Sequence, residues 1–497
     1  MKQVVQPHRS QWKSRIGFLL AAIGSAVGLG NIWRFPYLCY KNGGGAFLFP
    51  YLIALFTAGI PLMLLEIGIG HKMRGSAPLS FAKINRRWEW LGWWAVTFVM
   101  FGIVLYYCVI ISWCLNYLFF SFNLSWGNDP NDFFFNKFLG ITDGPHQLGE
   151  VRTSILFGLG LVWFINWFIV FFGIQRGVER ANRIFMPILF LLTAILVFWS
   201  LTLKGAFLGL KHYLRPDFNL LVNPQVWIDA YSQAFFSLSL GFGIMVAYAS
   251  YLPHRSEIVR DSLIISFADS FFSIFAGCAV FSVLGYMATS LSTPLDKVVG
   301  ESVGLAFVVY PQAIKLLPVF SHAFGVIFFA VLVVAGFSSS ISILEAFSVS
   351  VMDKFGYRRK ITVTVVSVLG FFGGIVFSCR GGLFWLDIVD HFLSHYGLIT
   401  VGILECILIG WIFKASHLRE HVNHISSLKL NRTWDFFIRV LTPAVLVVIL
   451  INNLIKEFTL PYGGYSWLAN ILIGRDWLIF TLFIALLFAS RPWRKQI

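Results

Sequence analysis

The chain of 497 residues is 58% hydrophobic and 12% charged, with a formal net charge of +15. Soluble domains are about 45–50% apolar and about 25% charged, so this composition excludes a chain built mainly from soluble domains and indicates a polytopic membrane protein. The length accommodates about a dozen membrane-spanning helices of roughly 20 residues joined by short loops.

Apolar runs of sufficient length predict an all-α membrane protein with twelve membrane-spanning helices in one transmembrane domain, residues 1–497. Strands have no place in this prediction. The twelve predicted spans lie near residues 15–40, 46–71, 90–120, 154–172, 182–203, 225–251, 260–290, 320–353, 361–378, 384–413, 434–455 and 475–490.

The basic residues are unevenly distributed among the predicted loops. If the N-terminus is cytoplasmic, most of the 38 lysines and arginines fall in cytoplasmic segments. This satisfies the positive-inside rule and predicts that both termini are cytoplasmic. The excess positive charge therefore indicates membrane topology, and no nucleic-acid partner is expected.

Glycine-rich segments interrupt the first and sixth predicted spans, at Gly24–Gly30 and at Ser237–Gly243. Each glycine costs a helix roughly 1 kcal/mol relative to alanine. A backbone group freed in hydrocarbon costs several kcal/mol unless a polar partner satisfies it. Paired interruptions in two halves of a membrane protein are typical of the substrate and ion site of a secondary transporter.

The positions of the two interruptions predict an internal repeat. Five spans in residues 1–203 would correspond to five in residues 225–413 with inverted topology, because an odd number of spans reverses direction. The last two spans, within residues 434–490, fall outside this repeat. Sequence identity between the halves is not evident, so the repeat is inferred from placement.

Five motifs follow one another along the chain: GSAVGLGNIWRFP (Gly24–Pro36), KNGGGAFLFPY (Lys41–Tyr51), QAFFSLSLGFG (Gln233–Gly243), GLAFVVYPQA (Gly304–Ala313) and AGFSSSISILE (Ala335–Glu345). They resemble motifs of the neurotransmitter:sodium symporter family, and of its bacterial amino-acid transporters of the leucine-transporter type. The resemblance covers nearly the whole chain in the expected order and implies a fold with unwound helices 1 and 6.

The resemblance implies two sodium ions, and oxygen ligands suit such hard cations. Small serines also allow close helix packing, which is the alternative explanation for Ser338–Ser340. The first ion would be held by the Ala26 carbonyl, Asn31, Ser237, Asp269 and the substrate carboxylate. The second would be held by the carbonyls of Gly24, Val27 and Ala335 and the hydroxyls of Ser338 and Ser339.

A half-helix that restarts after Gly30 would present free N–H groups to a substrate carboxylate. Relatives that carry monoamines have an aspartate at the position of Gly28, so the glycine favours a substrate with its own carboxylate, a neutral amino acid. The resemblance implies substrate contacts at Ser25, Ala26, Leu29, Gly30 and Ser237, a carboxylate bond from Tyr107, a lid formed by Phe236, and a largely apolar pocket of Ile103, Ser239, Phe242, Ser339 and Ile343.

Chloride dependence is the open question raised by Asp269, where most family members have asparagine. A fixed carboxylate beside sodium would repel a nearby chloride ion, so chloride-independent transport is expected. The alternative is that Asp269 only ligates sodium while chloride still binds. The anion-site positions implied by the resemblance are Tyr51, Gln233, Ser237, Asp269 and Ser273.

Charged pairs are expected to close the substrate path at both ends. By the resemblance, Arg34 and Asp390 form the outer gate, and Arg9 and Asp353 form the inner gate with Trp12 and Tyr251 nearby. Ionisable residues at membrane depth are functional candidates. Glu66, Glu345 and Glu405 are such residues; they are interpreted as anchors between helices, with a proton path as the alternative.

These observations predict a sodium-coupled symporter of neutral amino acids that works by alternating access. A carrier of taurine- or GABA-type amino acids and an amino-acid receptor that has lost transport remain alternatives. An enzyme is not expected, because no nucleophile–base set or cofactor motif is present. The loop at 121–154 lacks a cysteine pair, which favours a bacterial inner membrane, and the protein is expected to be a monomer or a weak homo-oligomer.

Overall fold

A computed structural model describes residues 10–295 and 302–494. Within these ranges the chain is helical and forms no strand, only isolated bridges at Gly44–Pro216 and Val151–Cys379. The predicted all-α membrane fold is confirmed. Among the described residues, ten helices are long and apolar enough to cross a membrane, and a bent pair makes an eleventh candidate span. We number the bent pair α1 (Arg15–Ala26 and Leu29–Lys41), and the ten helices α2 (Gly45–Met73), α3 (Arg86–Phe120), α4 (Thr153–Phe171), α5 (Ile174–Leu201), α7 (Ile258–Ser290), α8 (Ser321–Phe355), α9 (Arg359–Ser378), α10 (Gly382–Ile412), α11 (Arg432–Gly464) and α12 (Trp467–Ser490). The predicted sixth span corresponds to two shorter helices, which we number together as α6 (Pro224–Ser237 and Ile244–Ala249).

The first span is broken as the sequence predicts. Its first half, α1a (Arg15–Ala26), begins after Ser14, whose hydroxyl accepts a hydrogen bond from the Gly17 N–H. Val27 and Gly28 are extended, and the second half, α1b (Leu29–Lys41), leaves at an angle of 64° to the first. The second half begins at Leu29, two residues earlier than expected, because the Asn31 side chain caps it by accepting a hydrogen bond from the Gly28 N–H.

The sixth span is broken at the predicted place. Its outer half, α6a (Pro224–Ser237), is capped by Asn223, and the second half, α6b, covers Ile244–Ala249. Between them Ser239, Gly241 and Gly243 have φ angles of 53°, 75° and 68°. Glycine adopts such angles easily, whereas a serine in this conformation is strained and marks a functional segment.

Burial differs sharply among the spans. The most apolar window of α3 is 83% buried, whereas the corresponding windows of α11 and α12 are each 22% buried. The outer helices expose large apolar side chains such as Phe157 and Phe458, at 80% and 81%. A protein in a bilayer needs an apolar exterior around a packed centre. That centre is formed by α1, α2, α3, α6 and α8.

Short helices join several spans and were not predicted. They cover Ala77–Ile84, Ala206–Leu214, Leu305–Leu316 and Ala415–Ile425. Each is too short to span a bilayer, so a search for long apolar runs does not find it. The Ala415–Ile425 helix packs against α2, α7 and the start of α11.

Candidate functional site

A cavity of about 120 Å³ lies between the breaks in α1 and α6. An engineered protein cavity of about 150 Å³ takes up benzene, so this space suits a small organic molecule. Its walls come from α1, α3, α6, α8 and α10. All twelve residues predicted to contact substrate line it: Ser25, Ala26, Leu29, Gly30, Ile103, Tyr107, Phe236, Ser237, Ser239, Phe242, Ser339 and Ile343.

One end of the cavity presents backbone from the break in α1. The Leu29 N–H donates to the Tyr107 hydroxyl at 3.3 Å, at the start of α1b. A Cβ atom added to Gly28 would lie 3.1 Å from both the Tyr107 hydroxyl and the Ser339 hydroxyl. Glycine therefore keeps open the space between these two hydroxyl groups, next to the positive end of a half-helix.

The opposite part of the cavity is apolar. Ile103, Phe242 and Ile343 are each 5% exposed or less and converge there from α3, α6 and α8. The Phe236 ring lies 6.3 Å from the Phe242 ring in an edge contact. The cavity thus combines a polar backbone end with an apolar side.

A polar cluster beside the cavity connects α1, α6 and α7. The Asn31 amide nitrogen lies 2.7 Å from Asp269, 2.7 Å from Ser273 and 3.1 Å from Ser237, so its two hydrogens are shared among three acceptors. The Ser237 hydroxyl donates to the other Asp269 oxygen at 2.7 Å. The structure thereby brings together three of the predicted ligands of the first sodium ion. Ala26 is at the end of α1a and also lines the cavity.

A second group of oxygen atoms lies where α1a meets α8. The Ser339 hydroxyl is 3.4 Å from the Gly24 carbonyl oxygen, 3.3 Å from that of Ser25 and 3.4 Å from that of Ala335. The Ser338 hydroxyl donates to the Ala335 carbonyl at 2.8 Å. Three members of the predicted second set, Gly24, Ala335 and Ser339, therefore lie together. Val27 follows the end of α1a, the Ser338 hydroxyl is bonded within α8, and a sodium site here stays a prediction.

The predicted anion-site residues lie next to the polar cluster. The Tyr51 hydroxyl is bonded to Ser270 at 3.1 Å, and the Ser273 hydroxyl donates to the Asp269 carbonyl at 3.1 Å. Gln233 lines the cavity, and within the described residues neither polar atom of its buried amide has a hydrogen-bond partner. These positions are grouped, and the Asp269 carboxylate stands among them.

The residues predicted to form the outer gate, Arg34 and Asp390, are separated in this conformation, and their role as a gate stays a prediction. Both residues line the cavity, but no ion pair joins them among the described residues. The Arg34 guanidinium lies over the Phe236 ring at 4.6 Å. Asp390 instead accepts hydrogen bonds from Tyr106 and, at 3.1 Å, from Ser394.

The N-terminal face of the bundle, where α1 begins, is closed by packing. The Trp12 indole donates to the Tyr248 carbonyl at 2.9 Å, and the Trp12 backbone N–H donates to the Tyr251 carbonyl at 3.1 Å. Asp353 accepts a hydrogen bond from the Ser76 N–H at 2.9 Å. Its expected partner, Arg9, lies outside the described residues.

Glu345 forms an ion pair on this face. Its carboxylate pairs with Arg359 through several bonds of 2.5–2.7 Å and accepts the Tyr251 hydroxyl at 3.0 Å. Sequence reasoning identified Glu345 as an anchor but not its partner. The signal was available, because Arg359 is the first residue of the next span.

A second residue was missed at the other end of the cavity. Tyr106 lines the cavity and bonds to Asp390, which ties α3 to α10. Its neighbour Tyr107 alone had been predicted, from its place in the motif. Adjacent tyrosines on a helix point about 100° apart, so the pattern did not show that both reach the cavity.

Broken membrane helices that meet around one cavity, with unwound backbone and clustered oxygen atoms beside it, are typical of a secondary transporter. The sequence matches the sodium:neurotransmitter symporter family over residues 9–131 and 125–491. The chain belongs to this family, as its motifs predicted.

Two relatives illustrate the range of the family. An uncharacterised sodium-dependent transporter of Methanocaldococcus jannaschii is 47% identical over 458 residues, covering 92% of this chain and 93% of the relative. The sodium- and chloride-dependent GABA transporter 2 of Rattus norvegicus is 32% identical over 516 residues, covering 95% and 84%. Sodium-dependent membrane transport is therefore the function of the class to which this chain belongs.

Proposed function

We propose that the protein is a sodium-coupled symporter of neutral α-amino acids. The observation that carries this proposal is the cavity between the two helix breaks, which is lined by unwound backbone and Tyr107 and by the apolar side chains of Ile103, Phe242 and Ile343. The N-terminus of α1b favours an anionic group, which would be the substrate carboxylate. Gly28 supplies no acid for a substrate amine, so the substrate brings its own carboxylate.

Two sodium ions fit the two oxygen clusters. The first ion would take the side chains of Asp269, Ser237 and Asn31, the Ala26 carbonyl and the substrate carboxylate. The Asn31 amide oxygen presently accepts the Gly28 N–H, so sodium binding would require this amide to turn. The second ion would lie among the oxygens of Gly24, Val27, Ala335, Ser338 and Ser339.

Transport would be independent of chloride. The Asp269 carboxylate supplies a fixed negative charge among the residues expected to form the anion site. A second anion there would be repelled, while a sodium ion would be attracted. The unpartnered Gln233 amide is the observation that favours the alternative, because its N–H groups could donate to chloride.

The transport cycle would be one of alternating access. The N-terminal face is packed shut around Trp12, whereas Arg34 and Asp390 stand unpaired at the other end of the cavity. Pairing of these two residues over a bound substrate would close the second end. The inverted repeat of residues 1–203 and 225–413 would provide the symmetry between the two alternating conformations. Both termini would lie in the cytoplasm of a prokaryotic cell.

A carrier of GABA- or taurine-type substrates is the second candidate, favoured by the GABA transporters among the relatives. In an α-amino acid the ammonium adjoins the carboxylate, and the side chain occupies the apolar region. In GABA the charges lie at opposite ends, so the ammonium would face Ile103, Phe242 or Ile343. Burying an unpaired ammonium there is costly, which favours the α-amino acid.

The test is radiolabelled uptake into proteoliposomes under an inward sodium gradient. A panel containing leucine, phenylalanine, alanine, GABA and taurine should give uptake of neutral α-amino acids only, and a potassium gradient should give none. Uptake of GABA or taurine with no α-amino acid would support the second candidate. Binding in detergent without uptake would instead identify a receptor.

A further inference from the structure

Two histidines from different elements form a hydrogen bond on the N-terminal face of the bundle. The Nδ1 atom of His71, near the end of α2, lies 3.0 Å from the Nε2 atom of His421, on the Ala415–Ile425 helix. The other ring nitrogen of His71 lies 2.8 Å from the carbonyl oxygen of Pro253, which follows α6b. His71 is 2% exposed. This one imidazole therefore joins α2, the segment after α6b and the helix that carries His421.

The partners of the two rings determine where the protons lie. A carbonyl oxygen only accepts, so the Nε2 atom of His71 carries a hydrogen. In a neutral ring the Nδ1 atom of His71 is then bare, and it accepts the Nε2–H of His421. The bond thus forms between two neutral rings. When both rings are protonated, two N–H groups face each other at 3.0 Å and the bond is lost.

Two cations lie next to the histidine pair, by which we mean His71 and His421. The Arg74 guanidinium is 3.2 Å from the Nε2 atom of His71 and bonds to a carbonyl of the segment after α6b. Lys72 bonds to a backbone carbonyl of the helix that carries His421, at 2.9 Å. A proton added to either ring would therefore meet positive charge. Burial lowers the pKa of His421 to about 4, and Lys72, Arg74 and His424 act in the same direction.

Carboxylates on the neighbouring elements have other partners. Within residues 10–295 and 302–494, no carboxylate forms an ion pair with either ring of the histidine pair. On α7, Asp261 pairs with Arg15, and at the start of α11, Asp435 pairs with Arg419. The other histidines and charged residues within three positions of these contacts along the chain are His254, Arg255, Glu420 and His424.

Close packing leaves little room for the two rings to separate unless the elements that carry them move. A Cβ atom added to Gly70 would lie 2.2 Å from the Val246 carbonyl oxygen on α6b, and one added to Gly68 would lie 3.2 Å from Val422. Bare glycine backbone of α2 thus touches both α6b and the helix that carries the second histidine. Trp12 holds the same end of α6b from the start of the chain.

We propose that His71 and His421 form an acid-sensitive lock, which holds the N-terminal face closed while both rings are neutral and releases it when they are protonated. On release, the N–H···N bond breaks and each ring takes one proton from water at its bare Nδ1 atom. The lock goes beyond the proposed function, since neither histidine is among the predicted substrate or sodium residues. Its effect on transport rests on the proposed alternating access.

The direction of the pH effect follows from the neutral state of the locked pair. A free histidine has a pKa of about 6.5, whereas burial lowers the pKa of the locked His421 to about 4, so protons bind the released state more tightly. The lock is therefore held above about pH 6.5 and weakens as the pH falls towards 4. One such group shifts the balance towards the released state about 10-fold between pH 7.5 and pH 5.5.

Hydrogen–deuterium exchange of the purified full-length protein tests the lock, in detergent at constant sodium chloride and at both pH values. Labelling times are scaled for the pH dependence of chemical exchange. The backbone amides of α6b should open about 10-fold more at pH 5.5 in the wild-type protein. The variant His71→Gln/His421→Gln has no titrating ring and should open equally at both. His417→Gln is the matched control, because the ring of His417 bonds within its own helix at 2.9 Å.

The single variant His421→Gln covers the case in which the double variant does not fold. A glutamine amide can donate to the Nδ1 atom of His71 or, once turned, accept from it. The contact therefore survives protonation of His71, and the rise in exchange at pH 5.5 should be clearly smaller than in the wild-type protein.

A wild-type protein whose α6b amides open equally at both pH values would overturn the proposal. So would a rise that persists in full in a folded glutamine variant of the histidine pair, or that disappears in His417→Gln. Sodium-driven uptake without acid-dependent release would remove the lock and leave the proposed function intact. Acid-dependent release without sodium-driven uptake would overturn the proposed function and leave the lock standing.

Discussion

The Asn31 amide nitrogen lies 2.7 Å from a carboxylate oxygen of Asp269, which joins the break in α1 to the middle of α7. This contact places a negative charge directly beside the backbone that changes direction in α1. Because Asp269 is fully buried, its charge needs a cation or several hydrogen bonds in order to persist. The proposed sodium site and the proposed chloride independence therefore involve the same side chain.

Asp269→Asn should make transport depend on chloride. The substitution keeps the size of the side chain and removes its charge, so an external anion can replace it near Tyr51 and Gln233. Sodium-driven uptake measured in gluconate should fall several-fold in the variant and be restored by chloride, whereas wild-type uptake should be equal in both media. Asp476→Asn, at an exposed position, is the control. A several-fold loss of wild-type uptake in gluconate would contradict chloride independence.

Ser339→Ala should weaken sodium binding. The hydroxyl lies 3.3–3.4 Å from three carbonyl oxygens where the second ion is proposed, and losing an oxygen that contacts a charge costs about 1.5–3 kcal/mol. The sodium concentration that gives half-maximal uptake should rise roughly 10- to 150-fold. Ser340→Ala is the matched control, because the Ser340 hydroxyl bonds to Asn166, away from the cluster, at 2.9 Å. An equal effect of both substitutions would argue against the second site.

Gly28→Ala should raise the substrate KM. The added methyl group would lie 3.1 Å from the hydroxyls of Tyr107 and Ser339. Overpacking of this kind costs about 1–3 kcal/mol, which corresponds to roughly a 5- to 150-fold change in affinity. The backbone angles of Gly28 suit alanine, so folding should be retained. Gly304→Ala, where an added Cβ atom would meet no described atom within 4 Å, should leave uptake unchanged.

Glu345→Gln should destabilise the N-terminal face. The substitution leaves the Arg359 guanidinium, which is 23% exposed, without its buried partner. Removing one partner of a buried ion pair costs about 3–5 kcal/mol of stability. Because Arg359 is partly exposed, we expect a loss at the lower end of this range. Thermal unfolding in detergent should show a clear loss of stability. Asp476→Asn breaks an exposed pair with Arg475 and should change stability by less than about 1 kcal/mol.

The sequence located both helix breaks, and all twelve residues that it predicted to contact substrate line the cavity. Glycine clusters at membrane depth have few explanations, so Gly24–Gly30 and Ser237–Gly243 could be interpreted with little ambiguity. The Glu345–Arg359 pair and the Tyr106–Asp390 bond were not predicted, because each depends on how two helices rotate against each other. The separation of Arg34 from Asp390 could not be predicted either, since a sequence does not specify which conformation is populated.

Ser239, held at a positive φ angle, donates its hydroxyl to the Ser25 carbonyl oxygen at 3.0 Å and so fastens the break in α6 to the break in α1. The Asn31–Ser237 bond is a second contact between the same two unwound segments. A rearrangement of one segment would therefore have to break these bonds or move the other segment with it. In the proposed transport cycle, cooperativity between ion and solute would then need no long relay across the protein.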